Sequence, residues 1–114
     1  MEKLAAAFPE FTADLLDGLN RLARCELMNQ VQEALIVSVT FDNAADAGYI
    51  YLKTGRPLNV VEENVIGPRH GETLSVPCQH WAILDTDDCG RLTGIEILGP
   101  PASLKVQMRA RARP

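Results

Sequence analysis

Apolar positions recur at helical spacing through the first third of the chain, then give way to short β-branched runs. Leu15, Leu16, Leu19, Leu22 and Ala23 fall along one helical stripe. Thr12 reads as the residue that caps this helix, with Asp14 in its first turn facing the helix dipole. Gly18 lies inside the stripe and weakens the helix by up to about 1 kcal/mol relative to Ala. Leu27, Val31 and Leu35 continue at i, i+4, which predicts a second helical stretch, with a strand over 27–32 as the alternative. A stripe of this kind packs a helix onto a sheet more readily than it binds a separate partner.

The middle of the chain reads as strands. Ile36–Phe41 is apolar and β-branched, and Ala47–Lys53 carries Tyr49, Ile50, Tyr51 and Leu52, large residues that suit a pleated surface. Leu58–Val61, Trp81–Leu84 and Leu92–Leu98 are further candidates. Turn chemistry separates them at Thr54-Gly55-Arg56-Pro57, Gly67-Pro68 and His70-Gly71. Asp87-Asp88-Cys89-Gly90 has the form of a hairpin loop in which glycine supplies a positive φ. Gly99-Pro100-Pro101 ends the last strand, since proline donates nothing to a ladder. Strands this close in sequence favour antiparallel pairing. The expectation is an α+β domain: an antiparallel sheet of about four to six strands, packed by an N-terminal helix or helices.

Composition fits one globular domain. The 114 residues are 46% hydrophobic and 23% charged. No apolar run approaches the roughly 20 residues of a membrane helix. The N-terminus lacks the pattern of a signal peptide, so a cytoplasmic setting is expected. Three cysteines, Cys25, Cys78 and Cys89, then read as reduced thiols. The formal charge of −4 divides into +4 on residues 105–114 and −8 on the rest. An acidic body does not invite nucleic acid, and the basic end reads as a solvated, disordered tail following a domain of residues 1–104. Within that domain, residues 1–34 form a helical front and 36–98 a strand-rich body.

Two stretches carry a resemblance. One is Val39-Thr40-Phe41-Asp42 followed by Asp46-Ala47-Gly48-Tyr49-Ile50-Tyr51-Leu52. The other is Leu84-Asp85, Asp87, then Gly90-Arg91-Leu92-Thr93-Gly94-Ile95-Glu96-Ile97-Leu98. In this order they resemble the domain-of-unknown-function 2283 family of small bacterial domains, over about half of the chain. The signature residues are Asp42, Asp46, Tyr49, Gly90, Gly94 and Glu96. The helical front and the stretch Asn59 to His80 depart from the family's pattern. The resemblance implies a strand-rich fold with the two signatures on adjacent elements, and a setting beside toxin-like partners. It implies no activity and no cofactor. The residues carry the same reading alone: the Asp42 carboxylate can accept N–H bonds from Ala44 or Ala45, and Gly94 in a strand marks a bulge or a close approach. Ile95 and Ile97 then face one side and Glu96 the other.

Four groups of residues bear on chemistry. Asp85, Asp87, Gly90 and Glu96 occupy positions 1, 3, 6 and 12 of a calcium-loop pattern, so Asp85, Asp87 and Glu96 are the residues that would ligate a metal. Cys89 at position 5 is a soft ligand and the flanks read as strands, so an acidic hairpin tip explains the same residues. Arg69-His70-Gly71-Glu72 resembles the phosphate-accepting motif of histidine phosphatases, without the further residues that chemistry needs. Cys78, His80, His70 and Cys89 offer zinc ligands, without the paired spacing of a knuckle. Asp42, Asp46, Asp85, Asp87, Asp88 and Glu96 could do acid–base work only if strand pairing brought two of them together. Tyr49, Tyr51 and Trp81 read as core packing, with a binding face as the alternative. No set amounts to a catalytic constellation. The expected function is a non-enzymatic module that binds a protein partner or a second copy of itself, with no nucleic acid and no membrane involved. A calcium- or small-ligand-binding domain and an antitoxin- or immunity-type protein are the alternatives.

Overall fold

Pro9 sets the start of the main helix. Proline at a first helical position has a preset φ and no N–H to leave unsatisfied. A computed structural model describes residues 1–54 and 71–112. In it a short helix α1 (Leu4–Ala7) leads directly into α2 (Pro9–Arg21), and α3 (Cys25–Glu33) follows. Thr12 is therefore not a cap. It lies one turn inside α2, only 3% exposed, and its Oγ1 donates 2.7 Å back to the Phe8 carbonyl, within the helix. Asp14 is correspondingly beyond the first turn. Phe11, Leu15 and Leu19 on α2, and Leu27 and Val31 on α3, are buried, so the stripe packs inward as far as Leu19; Leu22 and Ala23, beyond the end of α2, are exposed.

Five strands follow: β1 (Leu35–Asp42), β2 (Ala47–Lys53), β3 (Thr73–Pro77), β4 (Trp81–Thr86) and β5 (Leu92–Leu98). They form one antiparallel sheet in the order β1-β2-β5-β4-β3. The last strand thus inserts between the second and the fourth. The fold is α+β, with four helices and the five-stranded sheet among the described residues. Leu58–Val61 lies outside the described residues. No helix among them is long and apolar enough to cross a membrane.

Alternation decides which side of each strand is covered. Ile50 and Leu52 on β2, Ile95 and Ile97 on β5, Ala82 and Leu84 on β4, and Val76 on β3 are buried beneath the helices. Each large apolar side chain among them contributes roughly 1.5–3 kcal/mol by leaving water. Gly18 has a purpose here. A Cβ on it would lie 2.6 Å from Val76 Cγ1 and 2.9 Å from the Pro77 carbonyl oxygen, so the missing side chain lets α2 approach β3.

The basic end is a helix, α4 (Ala102–Arg111), rather than a disordered tail. Leu104 and Met108, four residues apart, are buried, and Met108 fills the space left above Gly48. The cations are held as well. Lys105 pairs with Asp46 at 2.7 Å, Arg111 pairs with Glu2, and Arg109 donates to Asn43 Oδ1 while its guanidinium lies 5.1 Å from the Phe41 ring centre. The helix therefore belongs to the domain.

Candidate functional site

The four described helices lie over one face of the sheet, and no described element covers the other. On it stand the alternate residues of each strand: Tyr49 and Tyr51 from β2, Glu96 and Leu98 from β5, Trp81, Ile83 and Asp85 from β4, and Thr73 and Ser75 from β3. Tyr51 is 45% exposed and Trp81 63% exposed. The aromatic residues are therefore not core, which corrects the sequence expectation. Period-2 alternation puts Tyr49 and Tyr51 on a shared face but carries no information about which face the helices cover.

The centre of this face is ordered by hydrogen bonds. The Tyr49 hydroxyl donates to Asp85 Oδ2 at 2.7 Å, and the Thr73 hydroxyl donates to Asp85 Oδ1 at 3.1 Å. The Tyr49 and Tyr51 rings lie against each other, 4.5 Å between centres. Gly94 sits beneath the Tyr49 ring, where any Cβ would collide with the ring and its hydroxyl, so the close approach expected at Gly94 is found. The ladder shifts register beside it, between Asp85 and Thr86. Burial, and then the hydrogen bond to Asp85, raise the Tyr49 phenol above the usual tyrosine range. It is a fixed donor at neutral pH and not a base.

The remaining signature residues shape turns. Asp42 Oδ1 accepts from the N–H groups of Ala44 at 2.9 Å and Ala45 at 3.3 Å. Asp46 adopts φ +50°, its carbonyl accepts from Gly99 N–H, and its side chain meets Lys105. Gly90 has φ +80° in the β4–β5 loop. The structure therefore gathers Tyr49, Gly94 and Glu96 on the open face and leaves Asp42, Asp46 and Gly90 at the ends of the sheet.

A second polar cluster was not legible as a unit. The β3–β4 turn is held against α2 by Asp14, whose carboxylate accepts from Gln79 N–H at 3.1 Å, His80 N–H at 3.0 Å and His80 Nδ1 at 2.6 Å. A carboxylate only accepts, so Nδ1 carries the proton. The Phe11 ring meets the imidazole edge-on at 5.2 Å. Burial pushes the Asp14 carboxyl up, but the bonds from the His80 side chain, from both backbone N–H groups and from Cys78 outweigh it, and the net shift is down. The Cys78 thiol is pushed up to about 11, by burial first and by Asp14 second. That is the reverse of an activated nucleophile. Sixty-six residues separate Asp14 from His80, and no local signal links them.

The sequence's metal readings separate in space. Asp85 is engaged on the open face. Asp87 lies in the next loop, with Oδ1 accepting from Cys89 N–H at 2.9 Å and Arg91 N–H at 2.8 Å. Glu96 lies two residues along β5 from Gly94, the residue paired with Asp85. These bonds make a hairpin and not the helix-flanked calcium loop. Among the described residues the close group of potential ligands is Asp87, Asp88 and Cys89, exposed or half-exposed at the loop tip. Cys78 and His80 stand at the β3–β4 turn and Cys89 at the opposite end of β4, so they do not converge. None of the three cysteines forms a disulfide. Arg69 and His70 lie outside the described residues. Of the six acids, Asp42 and Asp46 sit at one end of the sheet and Asp87 and Asp88 at the other.

Comparison with protein-family models finds none that matches, and searches of curated proteins and of solved structures return no significant similarity. The likeness to the 2283 family rests on the two signatures alone.

Proposed function

We propose that the domain is a non-enzymatic interaction module that receives a protein partner on the open face of the sheet. The observation that carries this reading is that Tyr51 and Trp81 are both well exposed on a face that also carries half-buried Ile83 and Leu98. Exposed aromatic groups around an apolar centre mark binding surfaces, because they bury much area for little lost freedom. Asp42, Asp85 and Glu96 lie on the same face, and the chain outside residues 105–114 carries −8. The complementary partner sets basic groups beside apolar ones, since Glu96 stands mid-face on the central strand between Tyr49 and Ile83. A partner-neutralising role of the antitoxin or immunity type is the form of this reading that the charge favours. Two reactive groups support a non-enzymatic role: the Cys78 thiol and the Tyr49 phenol are both shifted away from reactivity.

Trp81 is the sole tryptophan and stands on this face, so its fluorescence reports on binding directly. The test is affinity capture from the native host with the wild type and with a Tyr51→Ser/Trp81→Ser variant. The partner should be retained by the wild type and lost by the variant. Adding the purified partner should shift Trp81 emission to the blue and shield it from iodide. Equal capture by both proteins would move the function off this face.

A further inference from the structure

The two edges of the sheet differ. β3 has five residues and ends at Pro77, which has no N–H to offer, and α2 packs closely against it at Gly18. β1 has eight residues, contains no proline, and carries no charge before Asp42. Its first two residues are covered on the outer side: Lys3 bridges to Leu35, and Ile36 N–H donates 2.8 Å to the Glu2 carbonyl. From Val37 to Phe41 the outer backbone has no partner among the described residues. Val37, at a bulge, is 55% exposed. Alongside runs a shallow groove of about 370 Å³, lined by Val37, Ser38, Val39, Ala110 and Arg111, and the Arg111–Glu2 pair closes one end.

An edge with free N–H and C=O groups, an apolar β-branched sequence and no guarding charge is a template for another strand. We propose that its occupant is a second copy of this chain, paired β1 to β1 in antiparallel fashion about a two-fold axis near Thr40, giving a continuous ten-stranded sheet. The strand is self-complementary. In this register each Asp42 lies opposite Ser38 of the other copy, so the two carboxylates do not meet. On the adjacent α4, Lys105 and Arg111 are matched by Asp46 and Glu2 within each chain, and Arg109 is held on Asn43 and the Phe41 ring, so among the described residues one cation per helix is left without an acid near the axis. From Leu35 to Phe41 the strand offers no charge that would select a different peptide. The pairing covers a short edge, below the roughly 1,200 Å² of a standard interface, so the dimer is weak, with a Kd on the order of 10 μM. This inference stands apart from the open-face reading, because it uses the edge and not the face.

The test is sedimentation velocity from about 1 to about 500 μM, a range that brackets such a Kd. The wild type should pass from monomer to dimer. Thr40→Lys places two lysines opposite each other at the axis, and Val37→Lys adds a charge to the exposed bulge. The double variant should stay monomeric throughout while keeping the wild-type melting temperature, since both side chains are exposed. Mixing Thr40→Lys with Thr40→Asp protein should restore a heterodimer, a rescue that mere loss of folding does not produce. A wild type monomeric throughout, or a double variant that dimerises like the wild type, overturns the proposal. Loss of the dimer on Tyr51→Ser/Trp81→Ser, with the edge variants unaffected, overturns it too and assigns self-association to the open face.

Discussion

The two faces of one sheet are built from the same strands, yet alternate residues of β2 live in different worlds. Ile50 and Leu52 are buried beneath the helices, while Tyr51 between them stands in solvent. Ile97 is fully buried and Glu96 beside it is not. On the covered face, close packing makes each methylene matter. On the open face, the side chains are held by a few hydrogen bonds around Asp85 and are otherwise available. The contrast says that stability resides chiefly on the covered side of the sheet; the other side is the one to which the proposed function assigns recognition.

The largest expected effect breaks this contrast directly. Ile95→Ala removes a fully buried side chain from the covered face and should lower the unfolding free energy by about 2–5 kcal/mol in urea denaturation. Tyr51→Ser, on the open face three strand positions from Gly48 and on the side away from Met108, should cost less than about 1 kcal/mol. A Tyr51→Ser protein as unstable as Ile95→Ala would mean that the open face is covered in solution.

A smaller effect concerns the clasp between α2 and the β3–β4 turn. Asp14→Asn keeps the shape but loses charge-assisted bonds to His80 and to two backbone N–H groups, a loss of about 1–3 kcal/mol near neutral pH. The pH dependence has a definite sign. Because the folded state lowers the Asp14 pKa, its proton binds more tightly in the unfolded chain. The carboxylate's contribution is complete above the unfolded value near 4, and it is lost as pH falls through the lower native value. The gap in melting temperature between wild type and Asp14→Asn should therefore be constant above about pH 5 and close progressively below about pH 4. A gap that narrows instead between about pH 6 and pH 8 would show that Asp14 is not the titrating partner.

What the sequence could reveal follows from the range of each signal. β2 and β5 begin and end where alternation and turn residues place them, and the Asp42 turn forms as its carboxylate predicts, because those signals act over a few residues. α2 starts three residues before Thr12, since Pro9 was the stronger start signal. α4 was legible in Leu104 and Met108, but the four cations of residues 105–114 obscured it, and their acidic and aromatic partners lie far off in the sequence. β3 is a short strand closed by Pro77, which weakens its pattern. The insertion of β5 between β2 and β4 and the Asp14–His80 contact depend on distant partners. Nor does alternation say which face the helices cover, and for that reason Tyr51 and Trp81 read as core from sequence alone.

The smallest expected effect tests how α2 ends, beneath the covered face. Ala23 adopts φ +56° just past the helix, a left-handed conformation in which the Ala23 N–H reaches the Asn20 carbonyl and the Arg24 N–H reaches that of Leu19. A Cβ in this region is crowded by the neighbouring carbonyl, a strain of about 1 kcal/mol that glycine avoids. Glycine also gives the unfolded chain more freedom, which offsets part of the gain. The side chain of Ala23 is exposed, so its removal leaves no cavity. Ala23→Gly should thus raise stability by up to about 1 kcal/mol, read as a higher urea midpoint with an unchanged slope. Destabilisation by a similar amount would mean that the turn between α2 and α3 is not held in the left-handed conformation in solution. The Arg24 bridge to Glu72 at 2.8 Å, which depends on that turn, would then weaken with it.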